Sequence, residues 1–175
     1  MDNNLDLAFR VRDAALLEGD FILSSGEHSS FYVDKYLFST EPDLLRDIAS
    51  GLSEMLPSDI DRLGGVELGA VPLVVALALH TGLPYVIARK AAKEYGTGRG
   101  IEGSFEEGEK IALIEDVVTT GTQSVAAARR LQDAGLEVGK ILAVLDRRDE
   151  PKDSLEEFFF ESLLRIGDLR VGSND

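Results

Sequence analysis

Apolar residues recur at helical spacing in four segments of the chain and form short uninterrupted runs in others. The spacing near the N-terminus predicts a helix over 5–18, which Gly19 would end. The same criteria predict helices over 42–56, 70–81 and 122–134. Apolar runs bounded by turn residues predict strands over 21–23, 31–33, 62–67, 84–89, 111–114, 141–145 and 158–160. Residues 90–108 are polar and glycine-rich, which predicts a loop with a short ribbon inside it.

Helices and apolar strands alternate from about residue 43 onward. This alternation favours an α/β fold with a central parallel sheet flanked by helices. A chain of 175 residues suits a single domain, 1–175. Ligands of such sheets bind at the carboxyl ends of the strands. The pair Glu115 and Asp116, the turn at 67–70, Arg89 and Arg147 all follow predicted strands, so we expect the binding site there.

Composition narrows the classes of function. The net charge is −14 and no basic block is present, which argues against a nucleic-acid surface. The absence of cysteine excludes disulfides, thiolate metal sites and a cysteine nucleophile. The apolar stretch over 71–88 is broken by His80, Gly82 and Pro84, and the N-terminus does not resemble a signal peptide, so we expect a cytoplasmic protein without a membrane partner. An acidic, lysine-poor surface fits a high-salt cytoplasm, and it fits an ordinary acidic protein equally well.

The most informative motif begins with the apolar run at 111–114. Two adjacent carboxylates, Glu115 and Asp116, follow it, and a threonine–glycine loop at 119–122 opens the next predicted helix. Adjacent carboxylates can accept hydrogen bonds from the two vicinal hydroxyls of a ribose. The loop can aim backbone N–H groups and hydroxyls at a phosphate, which the helix N-terminus also favours. The alternative interpretation is a solvated strand end followed by a capped helix.

Two further segments carry candidate chemistry for an anionic ligand. Residues 64–72 form a second glycine-bearing strand-to-helix turn, which by itself is a weak signal. Residues 89–99 hold four cations in eleven residues of an otherwise acidic chain, followed by more glycine. A basic, glycine-rich loop after a strand fits a lid that closes on pyrophosphate and excludes water. A solvated surface loop is the alternative.

These motifs together resemble the type I phosphoribosyltransferases, and the Arg-Lys-x-x-Lys-x-x-Gly lid resembles that of the orotate phosphoribosyltransferases. The resemblance implies that Lys93 and Asp116 are catalytic. It implies pyrophosphate contacts from Arg89, Lys90, Lys93, Tyr95, Glu67, Leu68 and Gly69, with a non-proline cis peptide between Glu67 and Leu68. It implies ribose-phosphate contacts from Glu115, Asp116, Val117, Val118, Thr119, Thr120, Gly121, Thr122 and Gln123. Tyr95 stands where many members have histidine, so its role is an open question.

The N-terminal segment resembles the hood that covers the pyrimidine in this family. The hood would comprise about 1–40 together with the C-terminal segment, around a core of about 41–150. The resemblance implies orotate contacts from Thr119, Arg147, Phe31 and Tyr32. For Phe31 and Tyr32 the alternative is core packing, and for Arg147 it is a salt bridge with Asp146 or Asp149. Ser24 stands where many members have a lysine, and Lys35 is a candidate replacement.

The resemblance therefore implies an enzyme that transfers 5-phosphoribosyl from 5-phosphoribosyl 1-pyrophosphate (PRPP) to orotate, giving orotidine 5′-monophosphate and pyrophosphate. It implies Mg²⁺ held mainly through PRPP and water, with no direct protein ligand. It also implies a homodimer whose lid is shared between subunits. Two alternatives remain at this point: a purine phosphoribosyltransferase, and a PRPP-binding regulatory protein of the same fold.

Overall fold

The computed structural model describes residues 3–22, 26, 28–90 and 100–170. Its helices are α1 (Asn3–Ala15), α2 (Lys35–Ser39), α3 (Pro42–Glu54), α4 (Val71–Thr81), α5 (Thr122–Asp133) and α6 (Ile166–Arg170). Its strands are β1 (Leu16–Ile22), β2 (His28–Val33), β3 (Arg62–Val66), β4 (Tyr85–Ala88), β5 (Ile101–Glu102), β6 (Lys110–Val118), β7 (Glu137–Asp146), β8 (Ser154–Leu155) and β9 (Phe158–Arg165). Ser24, Lys93 and Tyr95 lie outside the described residues.

Seven strands form the main sheet in the order β5-β4-β3-β6-β7-β9-β8. The five inner strands, from β4 to β9, pair in parallel, and the two short edge strands pair antiparallel. This arrangement confirms the predicted α/β class. Because the inner strands are parallel, the carboxyl ends of β3, β4, β6 and β7 meet at one edge of the sheet.

Helices cover both faces of the sheet, which explains why β6 is apolar without alternation. Ala112 and Ile114 point into the cluster shared with α1, α3 and α4. Their neighbours Ile111 and Leu113 point into the opposite cluster, which contains the buried face of α5. Successive side chains of a strand point to opposite faces, so a strand that is buried on both faces has apolar residues at successive positions. The central strand is therefore packed on both faces up to the start of the acidic pair.

The N-terminal helix is shorter than predicted. Helical spacing predicts 5–18, but α1 ends at Ala15 and β1 begins at Leu16. β1 pairs antiparallel with β2, from Leu16 opposite Val33 to Ile22 opposite His28. Backbone pairing in this hairpin outweighs the helical propensity of residues 16–18 (Leu-Leu-Glu), which are exposed or partly exposed. The hairpin forms a separate two-stranded sheet beside the main one.

Other boundaries also differ from the sequence expectation. The apolar run predicts a strand over 111–114, but β6 extends to Val118, so the acidic pair lies inside the strand. The short helix α2 was not predicted, and it begins where Asp34 accepts a hydrogen bond from the Tyr36 backbone N–H at 3.0 Å. The predicted ribbon corresponds to β5, which pairs with β4. None of the helices in the described part of the chain has the length and apolar character needed to cross a bilayer.

Candidate active site

A cleft of about 270 Å³ opens at the carboxyl edge of the sheet. It lies between the β2–α2 segment, the turn after β3 and the start of α5. Larger clefts of about 450 and 660 Å³ lie along β9 and beside Gly100. The smaller cleft is the candidate active site because of the residues that line it, not because of its volume. The lining residues are Tyr32, Val33, Lys35, Glu67, Lys90, Glu115, Asp116, Val117, Val118, Thr119, Thr120, Gly121, Gln123, Ser124 and Arg147.

The acidic pair on β6 is buried at the floor of this cleft. Glu115 accepts a hydrogen bond from Ser124 Oγ at 2.9 Å and another from the backbone N–H of Asp116 at 3.2 Å. Burial, followed by the proximity of Asp116, raises the pKa of Glu115 to about 8. At neutral pH Glu115 therefore mostly keeps its proton. A protonated Glu115 places less negative charge in this buried position than a second carboxylate would.

Lys35 supplies the countercharge for Asp116. Its Nζ lies 2.7 Å from Asp116 Oδ2, and the carboxylate side chain is only 3% exposed. The other oxygen, Oδ1, accepts a hydrogen bond from the Val117 backbone N–H at 2.5 Å. Burial lowers the pKa of Lys35, but the adjacent Asp116 outweighs this effect and the net pKa is raised. The contact is an ion pair in which Asp116 Oδ2 is buried.

The threonine–glycine loop connects β6 to α5. The Thr120 and Thr122 hydroxyl oxygens lie 3.0 Å apart, and Thr120 Oγ1 also accepts from the Thr122 backbone N–H at 3.4 Å. Gly121 has φ +80°, and a Cβ there would lie 2.5 Å from Leu155 Cδ2, so only glycine fits this turn. Thr119, Thr120 and Thr122 are exposed at the N-terminus of α5. Hydroxyl and N–H donors thus gather where the helix favours an anion.

The turn after β3 contains the cis peptide bond between Glu67 and Leu68 that the resemblance implied. Glu67 accepts a hydrogen bond from the Lys90 backbone N–H at 2.7 Å, and its Oε2 lies 3.6 Å from Arg89 Nε. Arg89 Nη1 also lies 3.4 Å from Glu102 Oε1. The Glu67 carboxylate therefore holds the first residues of the lid segment and offers no donor to an anion. Arg89 lies beside the cleft, paired with two carboxylates.

The side of the cleft next to β2 carries aromatic rings and arginines. The guanidinium carbon of Arg147 lies 5.4 Å from the centre of the Phe31 ring, and that of Arg170 lies 4.3 Å from the same ring. Burial, with a smaller contribution from Arg170, lowers the pKa of Arg147 although Tyr32 opposes this. The alternative pairing with Asp146 is wrong, because the neighbouring Arg148 takes that carboxylate, with Nη2 2.8 Å from Oδ2.

The structure thus gathers most of the predicted residues around one cleft. Phe31, Leu68, Gly69, Arg89 and Thr122 adjoin it without being among its lining residues. Sequence reasoning did not find Ser124, whose signal is a polar residue on the buried face of α5. It considered Lys35 only as a replacement for a missing lysine, because the contact with Asp116 depends on how α2 packs.

The fold and the cleft define a type I phosphoribosyltransferase, with an acidic pair and a threonine–glycine loop at the end of a central parallel strand. The chain is 44% identical over 169 residues to an orotate phosphoribosyltransferase of Natronomonas pharaonis, covering 95% of this chain and 96% of the relative. It therefore belongs to the orotate phosphoribosyltransferase family and is a pentosyltransferase. No family model matches the chain.

Solved structures agree with this assignment. The orotate phosphoribosyltransferase of Aeropyrum pernix superposes with a TM-score of 0.82 at 28% identity, covering 97% of this chain and 99% of the other. The Mycobacterium tuberculosis H37Rv orotate phosphoribosyltransferase in complex with PRPP superposes with a TM-score of 0.80 at 28% identity, with the same coverage. Both cover nearly the whole of the two chains, so the similarity includes the N-terminal hairpin as well as the main sheet.

Proposed function

We propose that the described cleft binds PRPP and orotate and transfers the phosphoribosyl group to the pyrimidine, giving orotidine 5′-monophosphate and pyrophosphate. The observation that carries this proposal is the buried pair of Glu115 and Asp116 at the floor of the cleft. On one side lies the threonine–glycine loop, and on the other lies the turn at Glu67 with Lys90. This order matches a 5′-phosphate, a ribose and a pyrophosphate along one ligand.

The roles follow from where charge develops. As the bond between C1′ and pyrophosphate breaks, the ribose becomes positive and the leaving group gains negative charge. Asp116, paired with Lys35 beside the ribose, stabilises the first charge and accepts a hydroxyl hydrogen bond. Arg89, Lys90 and Lys93 stabilise the second, and the role of Lys93 together with that of Tyr95 is carried over from the sequence motif. No covalent nucleophile is needed, because positioning and fixed charges suffice.

Orotate occupies the hood side in this proposal. A guanidinium presents parallel N–H donors that match a planar acceptor edge such as a carboxylate or a ring carbonyl. Arg147 lies at the cleft with its guanidinium near the Phe31 ring, next to Tyr32. Thr119 closes the space between the base and the sugar. The pyrimidine is thereby held on the side of C1′ opposite the leaving group.

Magnesium fits this site through the substrate. The described residues contain no group of three or more His, Cys, Asp or Glu side chains able to hold a metal ion. Mg²⁺ prefers oxygen ligands and keeps several waters, so PRPP oxygens and water can supply most of its ligands. When bound, the ion neutralises charge on the leaving pyrophosphate. Glu115 and Asp116, at the floor of the cleft, would orient the ribose hydroxyls of the substrate.

The proposal includes a homodimer in which each lid completes the neighbouring site. Mixing experiments test this directly: Lys93→Ala and Asp116→Asn variants, each inactive alone, are combined under conditions that exchange subunits. If the lid acts in the neighbouring subunit, random exchange restores about a quarter of the wild-type activity. If the lid acts within its own subunit, each mixed dimer has no intact site and activity does not return.

A cytoplasmic setting is part of the same proposal. PRPP and orotate are charged and do not cross lipid hydrocarbon unaided. The enzyme must therefore share the compartment in which they are present.

A base-selection assay tests the proposed substrate. The protein is supplied with PRPP and magnesium and with orotate, adenine, hypoxanthine or xanthine, and pyrophosphate release is measured. The proposal predicts turnover with orotate and background release with the three purines, since the Arg147 site selects an acidic pyrimidine edge. Preferential turnover of a purine would contradict the proposal and indicate a purine phosphoribosyltransferase instead.

A further inference from the structure

Lys35 occupies a central place in the cleft although it comes from the hood side of the chain. It is the first residue of α2, and its Nζ reaches across to lie 2.7 Å from Asp116 Oδ2 on β6. Its side chain is 34% exposed, whereas that of Asp116 is 3% exposed. The ammonium group is therefore anchored to the floor of the site while one side of it still faces the ligand space.

The same ammonium lies against the turn that follows β3. A Cβ placed on Gly69 would come within 3.0 Å of Lys35 Nζ and 1.5 Å of Asp116 Oδ2. Only glycine therefore allows the lysine and the aspartate to approach the backbone of this turn. That backbone is the element next to which the proposed function places the pyrophosphate.

An ammonium group has three N–H donors, and Asp116 occupies at most part of this capacity. Of the other described cations on this side, Arg89 is paired with Glu67 and Glu102, and Lys90 lines the cleft with an exposed side chain. Among the described residues, Lys35 is the cation that contacts Asp116 and also lies against Gly69. A pyrophosphate bound against the turn would lie within reach of its remaining donors without breaking the ion pair.

We propose that Lys35 is a substrate-binding residue that bridges Asp116 and the leaving pyrophosphate of PRPP. The inference rests on the proposed function, since it assigns a further residue to the same site. It gives the chain a leaving-group cation that is supplied by its own subunit and does not depend on the lid. The bridge also couples the two charged regions of the reaction, because the same ammonium touches the ribose carboxylate and the departing anion.

The competing explanation is purely structural: Lys35 only neutralises the buried Asp116. The two explanations differ in which ligands they affect. A neutralising lysine supports every ligand that uses Asp116, including ribose 5-phosphate. A bridging lysine supports mainly those ligands that carry a pyrophosphate.

The test compares Lys35→Met with Lys110→Met in the full-length protein. Lys110 is a matched control, since it is 30% exposed and lies 2.6 Å from Asp59 at the opposite end of β6. Affinities for PRPP, inorganic pyrophosphate and ribose 5-phosphate are measured by calorimetry at fixed magnesium. We expect Lys35→Met to lower the affinities for PRPP and pyrophosphate by about tenfold to a hundredfold, as for the loss of a charge-assisted hydrogen bond. The affinity for ribose 5-phosphate should change much less. Lys110→Met should leave all three affinities unchanged.

An equal loss of affinity for ribose 5-phosphate and for PRPP would overturn the bridging role and would support the purely structural role of Lys35. Unchanged affinities in Lys35→Met would overturn both. If the wild-type protein binds PRPP normally, either result counts against the inference alone. If the wild-type protein does not bind PRPP, the proposed function fails and the inference fails with it.

A second measurement uses the wild-type protein, in case Lys35→Met does not fold without its countercharge. Trace acylation of lysine amines is followed by mass spectrometry, with Lys110 as the internal reference. Pyrophosphate should protect Lys35 from acylation much more than ribose 5-phosphate does. Equal protection by the two ligands, or none by pyrophosphate, would contradict the bridge.

Discussion

Replacing Glu115 with glutamine should remove a pH dependence that the buried acidic pair imposes on stability. The folded protein holds the pKa of Glu115 near 8, above its ordinary value of 4.5. Below pH 4.5 the carboxyl is protonated in both the folded and the unfolded chain, and its stabilising contribution is fully present. As pH rises, the unfolded chain releases the proton first, so this contribution is lost progressively until pH passes the folded pKa.

The size of the effect follows from the interval between the two pKa values. Each pH unit corresponds to about 1.36 kcal/mol, so the interval from 4.5 to about 8 sets a ceiling of about 5 kcal/mol. We expect about 2 to 3 kcal/mol, because Asp116 and Lys35 can rearrange as Glu115 ionises. Glutamine keeps the shape of the protonated acid, and its amide can still pair with the Ser124 hydroxyl, which donates and accepts. The variant therefore lacks the titration but retains the packing.

The assay is chemical denaturation of the wild type and of Glu115→Gln at about pH 5, about pH 7 and about pH 9. The other ionisable groups are common to both proteins, so their effects cancel in the difference. As pH rises, the free energy of unfolding of the wild type should fall relative to that of the variant. Two parallel curves across this range would refute the reasoning, since they would mean that Glu115 titrates alike in the folded and unfolded chains.

Three further predictions concern activity and the scaffold. Lys93→Ala should lower kcat by about a hundredfold without changing the melting temperature, because it removes leaving-group charge; wild-type turnover would exclude Lys93 from the mechanism. Arg147→Ala should raise the KM for orotate about tenfold and leave that for PRPP unchanged, which steady-state kinetics with each substrate varied will decide. Arg62→Met should cost about 2 to 3 kcal/mol of stability by denaturant titration, with normal turnover, because Arg62 and Glu109 form a two-bond ion pair at 2.7 and 2.9 Å far from the cleft.

The parts of the site that the sequence predicted are those set by local signals. The apolar run of β6, the acidic pair and the threonine–glycine turn are contiguous, and a strand buried on both faces leaves a recognisable run of apolar residues. The turn at 64–72 was placed in the same way, by glycine between a strand and a helix. Both segments lie at the carboxyl edge of the sheet, as expected for a parallel arrangement.

The parts that were missed depend on contacts between distant segments. Helical spacing could not reveal that residues 16–18 pair with β2, because strand pairing is a tertiary property. The contact between Lys35 and Asp116 requires α2 to pack over the end of β6, and no local pattern encodes that. The raised pKa of Glu115 arises mainly from burial, which the local sequence does not encode. The sequence therefore indicated two carboxylates, whereas the structure favours a protonated Glu115.

The measurement that tests the central claim most directly is orotate consumption by the purified protein, with PRPP and magnesium, followed spectrophotometrically together with pyrophosphate release. We predict that orotate disappears in equal proportion to the pyrophosphate formed, only when both substrates are present, and that Asp116→Asn abolishes both signals while remaining folded. No loss of orotate at any salt concentration, or undiminished turnover in Asp116→Asn, would contradict the assignment of this cleft as the site of phosphoribosyl transfer.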